Sequence, residues 1–224
     1  MLHAADHPSS NAGPRRYGQL PDLIVLHYTA MPSCAEAQAR LCDPQAEVSA
    51  HYLIAETGAV IPLVPEELRA WHAGAGAWGA CQDVNSRSLG IELANPGDAP
   101  FPEAQMAALE HLLADLRHRW EIPPERVIAH SDMAPHRKTD PGPRFDWRRL
   151  ARVGQSVWPE PAEPGDFCAD LRRFGYPDAP ADVLLAAFRL RFRPWAQGPL
   201  SREDAALAAD LAARFPVDAV PAQA

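Results

Sequence analysis

Arg126-Val127-Ile128-Ala129-His130-Ser131-Asp132-Met133-Ala134-Pro135-His136-Arg137-Lys138-Thr139-Asp140-Pro141-Gly142 begins as a short apolar run and ends as a polar turn. The apolar part reads as a buried strand, and Asp-Pro-Gly is a turn former. A histidine, a lysine and an aspartate are thereby gathered on one loop at a sheet edge, where sites in α/β folds usually lie. His130 and Asp140 can serve a divalent metal, but two ligands are too few, so the rest of the chain must supply a third. Lys138 is also the only lysine, leaving arginine for the other 20 of the 21 basic side chains. Either an arginine bias left one lysine by chance, or the position needs a compact ammonium that a planar guanidinium does not replace.

Working outward, residues 22–28 form a second apolar run that ends at His27 and Tyr28 and reads as a core strand. Ser33 and Glu36 make a capping box for a helix to residue 41 or 42. Residues 48–54 and 60–64 flank Thr57-Gly58 as a β-hairpin. Residues 71–88, rich in Gly, Ala and Trp, are too long and irregular for a simple turn and read as a functional loop. Residues 88–94 are another strand, with Glu92 inside it. Met106, Leu109, Leu112, Leu113, Leu116 and Trp120 recur at helical spacing, which predicts the main amphipathic helix over 102–120. Residues 127–130 are the strand that leads into the loop, and 145–153 form one more short helix. The large domain is therefore of the α/β class.

Residues 154–166 carry three prolines and two glycines and mark a domain boundary. Beyond it the pattern is helical only, at 166–174, at 182–192, and from a Ser201/Asp204 capping box to Phe215. The expected organisation is a disordered or loosely docked lead (1–19), the large domain (20–153), a linker (154–165), a small all-α three-helix domain (166–216) and a tail (217–224).

The chain has 224 residues, 47% of them apolar, enough to bury a core. Net charge is −8 and no basic block occurs, which argues against nucleic acid or an anionic membrane as partner. No run of 18 apolar residues predicts a membrane span, and residues 1–19 do not read as a secretory signal. Cys34, Cys42, Cys81 and Cys168 include no CxxC pair, and free thiols fit a reducing compartment.

His27 and His130 each close an apolar strand, which taken singly is an ordinary place for a core or edge histidine. With Asp140 they make a two-histidine, one-carboxylate set, the ligand count of a catalytic zinc site with a fourth position left for water. Glu92 lies either on the wet face of an alternating strand or at a cleft, where it can act as general base toward metal-bound water. Lys138 would then stabilise an oxyanion. His51 and His72 can touch substrate or serve structural hydrogen bonds, while His3, His7, His111, His118 and His136 look solvent-facing. Cys81 lies in the functional loop, yet no cysteine has a convincing histidine partner.

Five linked motifs resemble those of the type-2 N-acetylmuramoyl-L-alanine amidases. They are Leu26-His27-Tyr28-Thr29, Ser49-Ala50-His51-Tyr52-Leu53-Ile54, Trp71-His72-Ala73-Gly74, Ser88-Leu89-Gly90-Ile91-Glu92-Leu93, and Ala129-His130-Ser131-Asp132 through Lys138-Thr139-Asp140-Pro141-Gly142. They occur in family order over about residues 20–153. The resemblance implies a mixed central β-sheet flanked by helices, and a zinc enzyme that cleaves the amide between N-acetylmuramic acid and the L-alanine of peptidoglycan stem peptides. It implies His27, His130 and Asp140 as zinc ligands, Glu92 as acid/base, Lys138 as oxyanion stabiliser, and His72, with His51, Trp71 and Asn95, as substrate-binding. Phage and animal members place a tyrosine where this chain has Ala50, which favours the bacterial branch.

Asp170-Leu171-Arg172-Arg173-Phe174-Gly175-Tyr176, Ala187 to Phe192, and Gly198 with the last helix resemble a three-helix peptidoglycan-binding module, an ordinary helical appendage being the alternative. The expected substrate is peptidoglycan or a muropeptide, with or without the anhydro sugar, in wall turnover and recycling, and the expected protein is a monomer. Two other readings stay open: a non-catalytic peptidoglycan-recognition protein, and a cysteine peptidase using Cys81. The cytoplasm is the expected compartment, with the periplasm as the alternative if the true start lies upstream.

Overall fold

The computed structural model describes residues 8–217, so residues 1–7, with His3 and His7, and most of the 217–224 tail lie outside the described residues. In chain order the elements are β1 (Ala12–Pro14), β2 (Leu23–Tyr28), α1 (Cys34–Cys42), β3 (Tyr52–Ile54), β4 (Val60–Pro62), β5 (Leu68–Ala70), the single turn α2 (Val84–Arg87) and β6 (Ser88–Leu93). They continue with α3 (Glu103–Trp120), β7 (Val127–Ala129), the single turn α4 (His130–Met133), α5 (Trp147–Arg152), α6 (Phe167–Phe174), α7 (Ala181–Phe192) and α8 (Arg202–Arg214).

The central sheet runs β4-β3-β6-β2-β7. β3, β6, β2 and β7 are parallel and β4 turns back antiparallel on β3, so the sheet is mixed, as the resemblance implied. β2 lies in its interior and reads apolar without alternation because helices cover both faces. Leu23 and Val25 face a core shared with Leu171, Phe174 and Phe188 of α6 and α7. Ile24 and Leu26 face the other way, onto Met106, Leu109 and Leu113 of α3. The capping residues act as the sequence suggests: Ser33 Oγ accepts from Glu36 N at 3.2 Å, and Ser201 with Asp204 closes a capping box on α8.

Three expectations are corrected. From Pro8 onward the lead is docked rather than loose, with β1 pairing antiparallel with β5. Asn11 Nδ2 donates to the Asp43 and Val48 carbonyls at 2.8 Å each, and the buried Arg15 guanidinium donates to Glu66, Ser86 and Ser88 carbonyls. Polar composition concealed this docking because it rests on side chain to main chain bonds, not on apolar periodicity. The strand expected through His130 stops at Ala129, where Asp132 Oδ2 accepts from Ala129 N at 2.8 Å and starts the turn α4. The first arm of the expected hairpin is strand only from Tyr52: Ser49 Oγ donates to Asn11 O and accepts from Trp71 N, tying the start of that segment to loops.

The three C-terminal helices form with the expected order, and they share one apolar core with the sheet and the 71–88 loop. Among the described residues all four cysteines are free, and no helix is long and apolar enough to cross a membrane.

Candidate active site

Three parallel strands finish side by side. His27 and Glu92 are the last residues but one of β2 and β6, and they are register partners, so both project from one face of the sheet. β7 flanks β2 on its other side and hands over directly to His130. The site thus lies outside the carboxyl ends of the parallel strands, the usual position in open α/β sheets. Asp140 arrives on the loop, which closes where Ser131 N donates to Asp140 O at 3.0 Å.

Nδ1 of His27 lies 2.9 Å from Nδ1 of His130 and 2.9 Å from Oδ2 of Asp140, and His130 Nδ1 lies 3.0 Å from the same oxygen. This group is buried and able to hold a metal ion. Each imidazole is anchored through its far nitrogen. His130 Nε2 meets Ala73 O at 2.9 Å. His27 Nε2 meets His72 Nδ1 at 3.0 Å, His72 Nε2 meets Ser88 Oγ at 3.1 Å, and the Ser88 hydroxyl donates to Val84 O at 2.5 Å. With both Nε2 atoms engaged outward, both Nδ1 atoms face Asp140. Burial and the neighbouring His130 pull His27 down to about 4, so it is a neutral imidazole at neutral pH. Asp140 is held well below the usual carboxylate range, its hydrogen bonds with the two histidines prevailing over the upward push of burial.

His27, His130 and Asp140 line a cavity of about 450 Å³ together with Glu92, Lys138, His72, Tyr28, Thr29 and Arg40. Glu92 Oε2 is buried with no partner in the protein, and burial followed by the Asp140 charge pushes the group up to about 8, against the pull of Lys138. Met31, Leu41 and Val48 add apolar surface to its lining.

A profile described as N-acetylmuramoyl-L-alanine amidase matches residues 17–143, more than half of the chain. The chain belongs to the N-acetylmuramoyl-L-alanine amidase family. As in that family, its activity is hydrolysis of the amide between N-acetylmuramic acid and L-alanine in peptidoglycan. The chain is 38% identical to N-acetylmuramoyl-L-alanine amidase AmiD of Escherichia coli K12 over 213 residues, covering 77% of this chain and 75% of that protein. It is 32% identical to 1,6-anhydro-N-acetylmuramyl-L-alanine amidase AmpD of Enterobacter cloacae, covering 67% of this chain and 89% of that one. Among solved structures, the complex of E. coli AmiD with anhydro-N-acetylmuramic acid-L-Ala-D-gamma-Glu-L-Lys aligns with TM-score 0.80 and 34% identity, over 96% of this chain and 93% of that chain. AmpDh3 of Pseudomonas aeruginosa aligns with TM-score 0.79 and 31% identity over 96% and 99%.

Within this amidase, the structure brings together His27, Glu92, His130, Lys138 and Asp140, and places His72 beside them. It does not bring His51, Trp71 or Asn95 to that cavity. His51 is fully buried, its Nδ1 accepting from Gly90 N at 2.9 Å and its Nε2 meeting Leu68 O at 3.1 Å. Asn95 folds the loop after β6: Oδ1 accepts from Gly97 N at 2.8 Å and Nδ2 donates to Ala99 O at 3.2 Å. Trp71 shares the His72 motif, but its main-chain N–H is tied to Ser49 Oγ. His72 lines the cavity, yet both ring nitrogens are committed to His27 and Ser88. Cys81 is buried, its thiol raised by burial, and it is not among the residues that line the cavity.

Sequence reasoning missed the supports. Asn85 Oδ1 accepts from His72 N at 3.0 Å and Ala73 N at 2.8 Å, and Arg137 Nε donates to Ala75 O at 2.7 Å. Gly90 is required by contact: a Cβ there would lie 2.4 Å from Cγ of His72. The glycine beside Glu92 in the strand was the one signal that could have pointed to this close approach.

Proposed function

We propose that this amidase is zinc-dependent, with His27, His130 and Asp140 holding the ion, Glu92 moving the proton and Lys138 stabilising the oxyanion. The observation that carries this reading is the convergence of two imidazole Nδ1 atoms and one carboxylate oxygen beside the unpartnered Glu92 carboxylate. Donor atoms about 2.0–2.1 Å from a tetrahedral zinc lie about 3.3 Å from one another. The separations of 2.9–3.0 Å would widen only slightly to accept it. A neutral His27 and an ionised Asp140 are protonation states that metal binding requires, and the anchored Nε2 atoms are the outer contacts such ligands use. Zinc, when bound at a site with three protein donors, supplies a water that ionises near neutral pH and a Lewis acid for the scissile carbonyl.

The protein's own groups carry the remaining steps. In its ionised form Glu92 takes a proton from the attacking water, and it then delivers that proton to the L-alanine nitrogen as the C–N bond breaks. The Lys138 ammonium, in the same cavity, faces the negative charge that develops on the carbonyl oxygen. A compact cation suits that place better than the broad guanidinium carried by every other basic side chain here.

The substrate we assign is an anhydro-muramyl peptide, in muropeptide recycling. It is supported by the AmiD complex with anhydro-N-acetylmuramic acid-L-Ala-D-gamma-Glu-L-Lys and by the AmpDh3 complex with an anhydromuramic pentapeptide. Four free cysteines support a reducing compartment for that work. The test is digestion of a defined anhydro-muramyl tripeptide, read by mass, beside intact wall. The expected products are the L-alanine-led peptide and the anhydro sugar acid. Glu92→Gln is expected to keep zinc and to lose about 10²–10⁴ in kcat. Turnover that survives both chelation and Glu92→Gln would overturn the reading.

A further inference from the structure

β7 is the last strand of the sheet, so the hydrogen-bonding groups on its outer edge have no neighbouring strand. An uncovered edge leaves amides and carbonyls to be satisfied some other way. Here a buried ion pair covers it. Arg191 of α7 donates from NH2 to Val127 O at 3.1 Å and from NH1 to Asp132 Oδ2 at 2.5 Å. The same carboxylate oxygen accepts from Ala129 N at 2.8 Å. Val127 and Ala129 are two residues apart, so their polar groups point to the same side of the strand. One arginine and one aspartate thus act as a substitute strand along the segment that ends at His130.

The surroundings fix this pair from three directions. Neither side chain is exposed to solvent. The Tyr176 hydroxyl donates to Asp132 Oδ1, and Arg191 NH2 also reaches Ser156 Oγ at 3.2 Å. The Arg191 guanidinium stacks 4.2 Å from the Trp147 ring centroid. Gly175, at φ +142°, lets the end of α6 close onto the Trp78 indole, where a Cβ would come within 2.3 Å, and Gly79 N donates to Gly175 O at 2.8 Å. Trp78 belongs to the loop whose Ala73 carbonyl receives His130 Nε2. The C-terminal helices therefore grip both the strand that delivers His130 and the loop that orients its ring.

We propose that Arg191, acting through Asp132, is a positioning residue for His130, so that the C-terminal helices belong to the scaffold of the catalytic centre and not only to an appended binding module. The proposal rests on the reading of His130 as a zinc ligand.

The test uses the full-length protein and zinc itself, with the dissociation constant measured by competition against a chromophoric chelator. Arg191→Met is expected to weaken zinc binding about 10–100-fold, the usual cost of losing an outer contact, and to lower kcat with KM little changed. Leu211→Ala, a core truncation in α8 away from β7, is the comparison for general destabilisation. It is expected to lower Tm and leave zinc affinity as in the wild type. Should Arg191→Met fail to fold, the double variant Arg191→Met/Asp132→Asn removes the stranded charge and is expected to fold with the same weakened affinity. The wild type adds a measurement that needs no variant: hydrogen exchange at the Ala129 amide is expected to be as slow as in the strand interior. Wild-type zinc affinity in the folded Arg191 variants, affinity that merely follows Tm across both sites, or fast exchange at Ala129 would each overturn the proposal. A wild type that binds no zinc would instead overturn the metal reading on which it rests.

Discussion

His72 shows how much a single ring can decide. Its position in Trp-His-Ala-Gly reads as a substrate contact, yet its Nδ1 receives the His27 ring and its Nε2 is spent on Ser88. Placed there, it can accept a hydrogen bond from His27 Nε2, which leaves His27 Nδ1 to face Asp140. His72→Leu removes that acceptor and is expected to weaken zinc binding about 10–100-fold, whereas His72→Asn, which keeps an acceptor oxygen near the Nδ1 position, is expected to recover most of it. Equal zinc titrations for the two variants would show that the ring only fills space. At Lys138 the expected result is asymmetry between variants. Lys138→Met should cost about 10²–10³ in kcat, the magnitude of losing one oxyanion partner. Lys138→Arg should fall between it and the wild type, because the charge is kept while its geometry changes. His27, Glu92 and His130 were legible because each interrupts or ends an apolar run, where an unpaired polar group is costly, whereas Lys138 stood out as the only lysine and Asp140 as part of the polar turn that follows. His51, Trp71 and Asn95 belong to equally recognisable motifs. A motif does not reveal whether a polar side chain turns toward a cavity or toward the main chain, and those of His51 and Asn95 turn to main-chain groups.

The element that matters most is the trio of parallel strand ends. β2 was visible in the sequence as an apolar run and β6 as a strand with Glu92 inside it, and their register sets His27 beside Glu92 with no further instruction. The turn α4 was not visible, because one helical turn has too few residues to show a period and its cap comes from a carboxylate three residues ahead. β1 escaped for a related reason: three residues of Ala-Gly-Pro carry no alternation, and the pairing with β5 is fixed by the buried contacts of Arg15 and Asn11. Within β6, Gly90 leaves space for the His72 ring. Gly90→Ala is expected to destabilise the protein by about 1–3 kcal/mol, the usual cost of overpacking, and to weaken zinc binding by displacing His72. The check is thermal unfolding of apo and zinc-loaded protein side by side: the substitution should reduce the stabilisation by zinc as well as the apo Tm. A loss confined to the apo protein would mean that the glycine serves packing alone.

Over the whole molecule, one apolar core runs from the sheet through the 71–88 loop into the three C-terminal helices. The proline-rich stretch that reads as a linker includes buried Ser156 and Val157, so composition marked a change of helix pattern without revealing how closely the two sides pack. The last two helices are joined by Asp204, which is inaccessible to solvent and bridges Arg189 at 2.6 Å and Arg193 at 2.7 Å. Burial alone would raise this carboxyl, but the arginines and Ser201 hold it well below the usual carboxylate range. A depressed folded pKa contributes stability that is present above the unfolded value, near ~4, and is lost as pH falls toward the folded value. Asp204→Asn is therefore expected to lower Tm at pH 7, and the gap from the wild type should narrow as pH drops below about 4. A gap that stays constant across that range would remove the charge from the explanation. The expectations for zinc binding and turnover depend on the convergence of His27, His130 and Asp140 being a working zinc centre. The most direct test is to strip the protein with a chelator, titrate zinc back, and follow bound metal and cleavage of an anhydro-muramyl peptide in the same samples. The expected result is activity that vanishes on stripping and returns in proportion to bound zinc, reaching its full value at one ion per chain, with Asp140→Ala restoring neither. Full turnover by the stripped protein, or zinc bound stoichiometrically by Asp140→Ala with wild-type turnover, would contradict it.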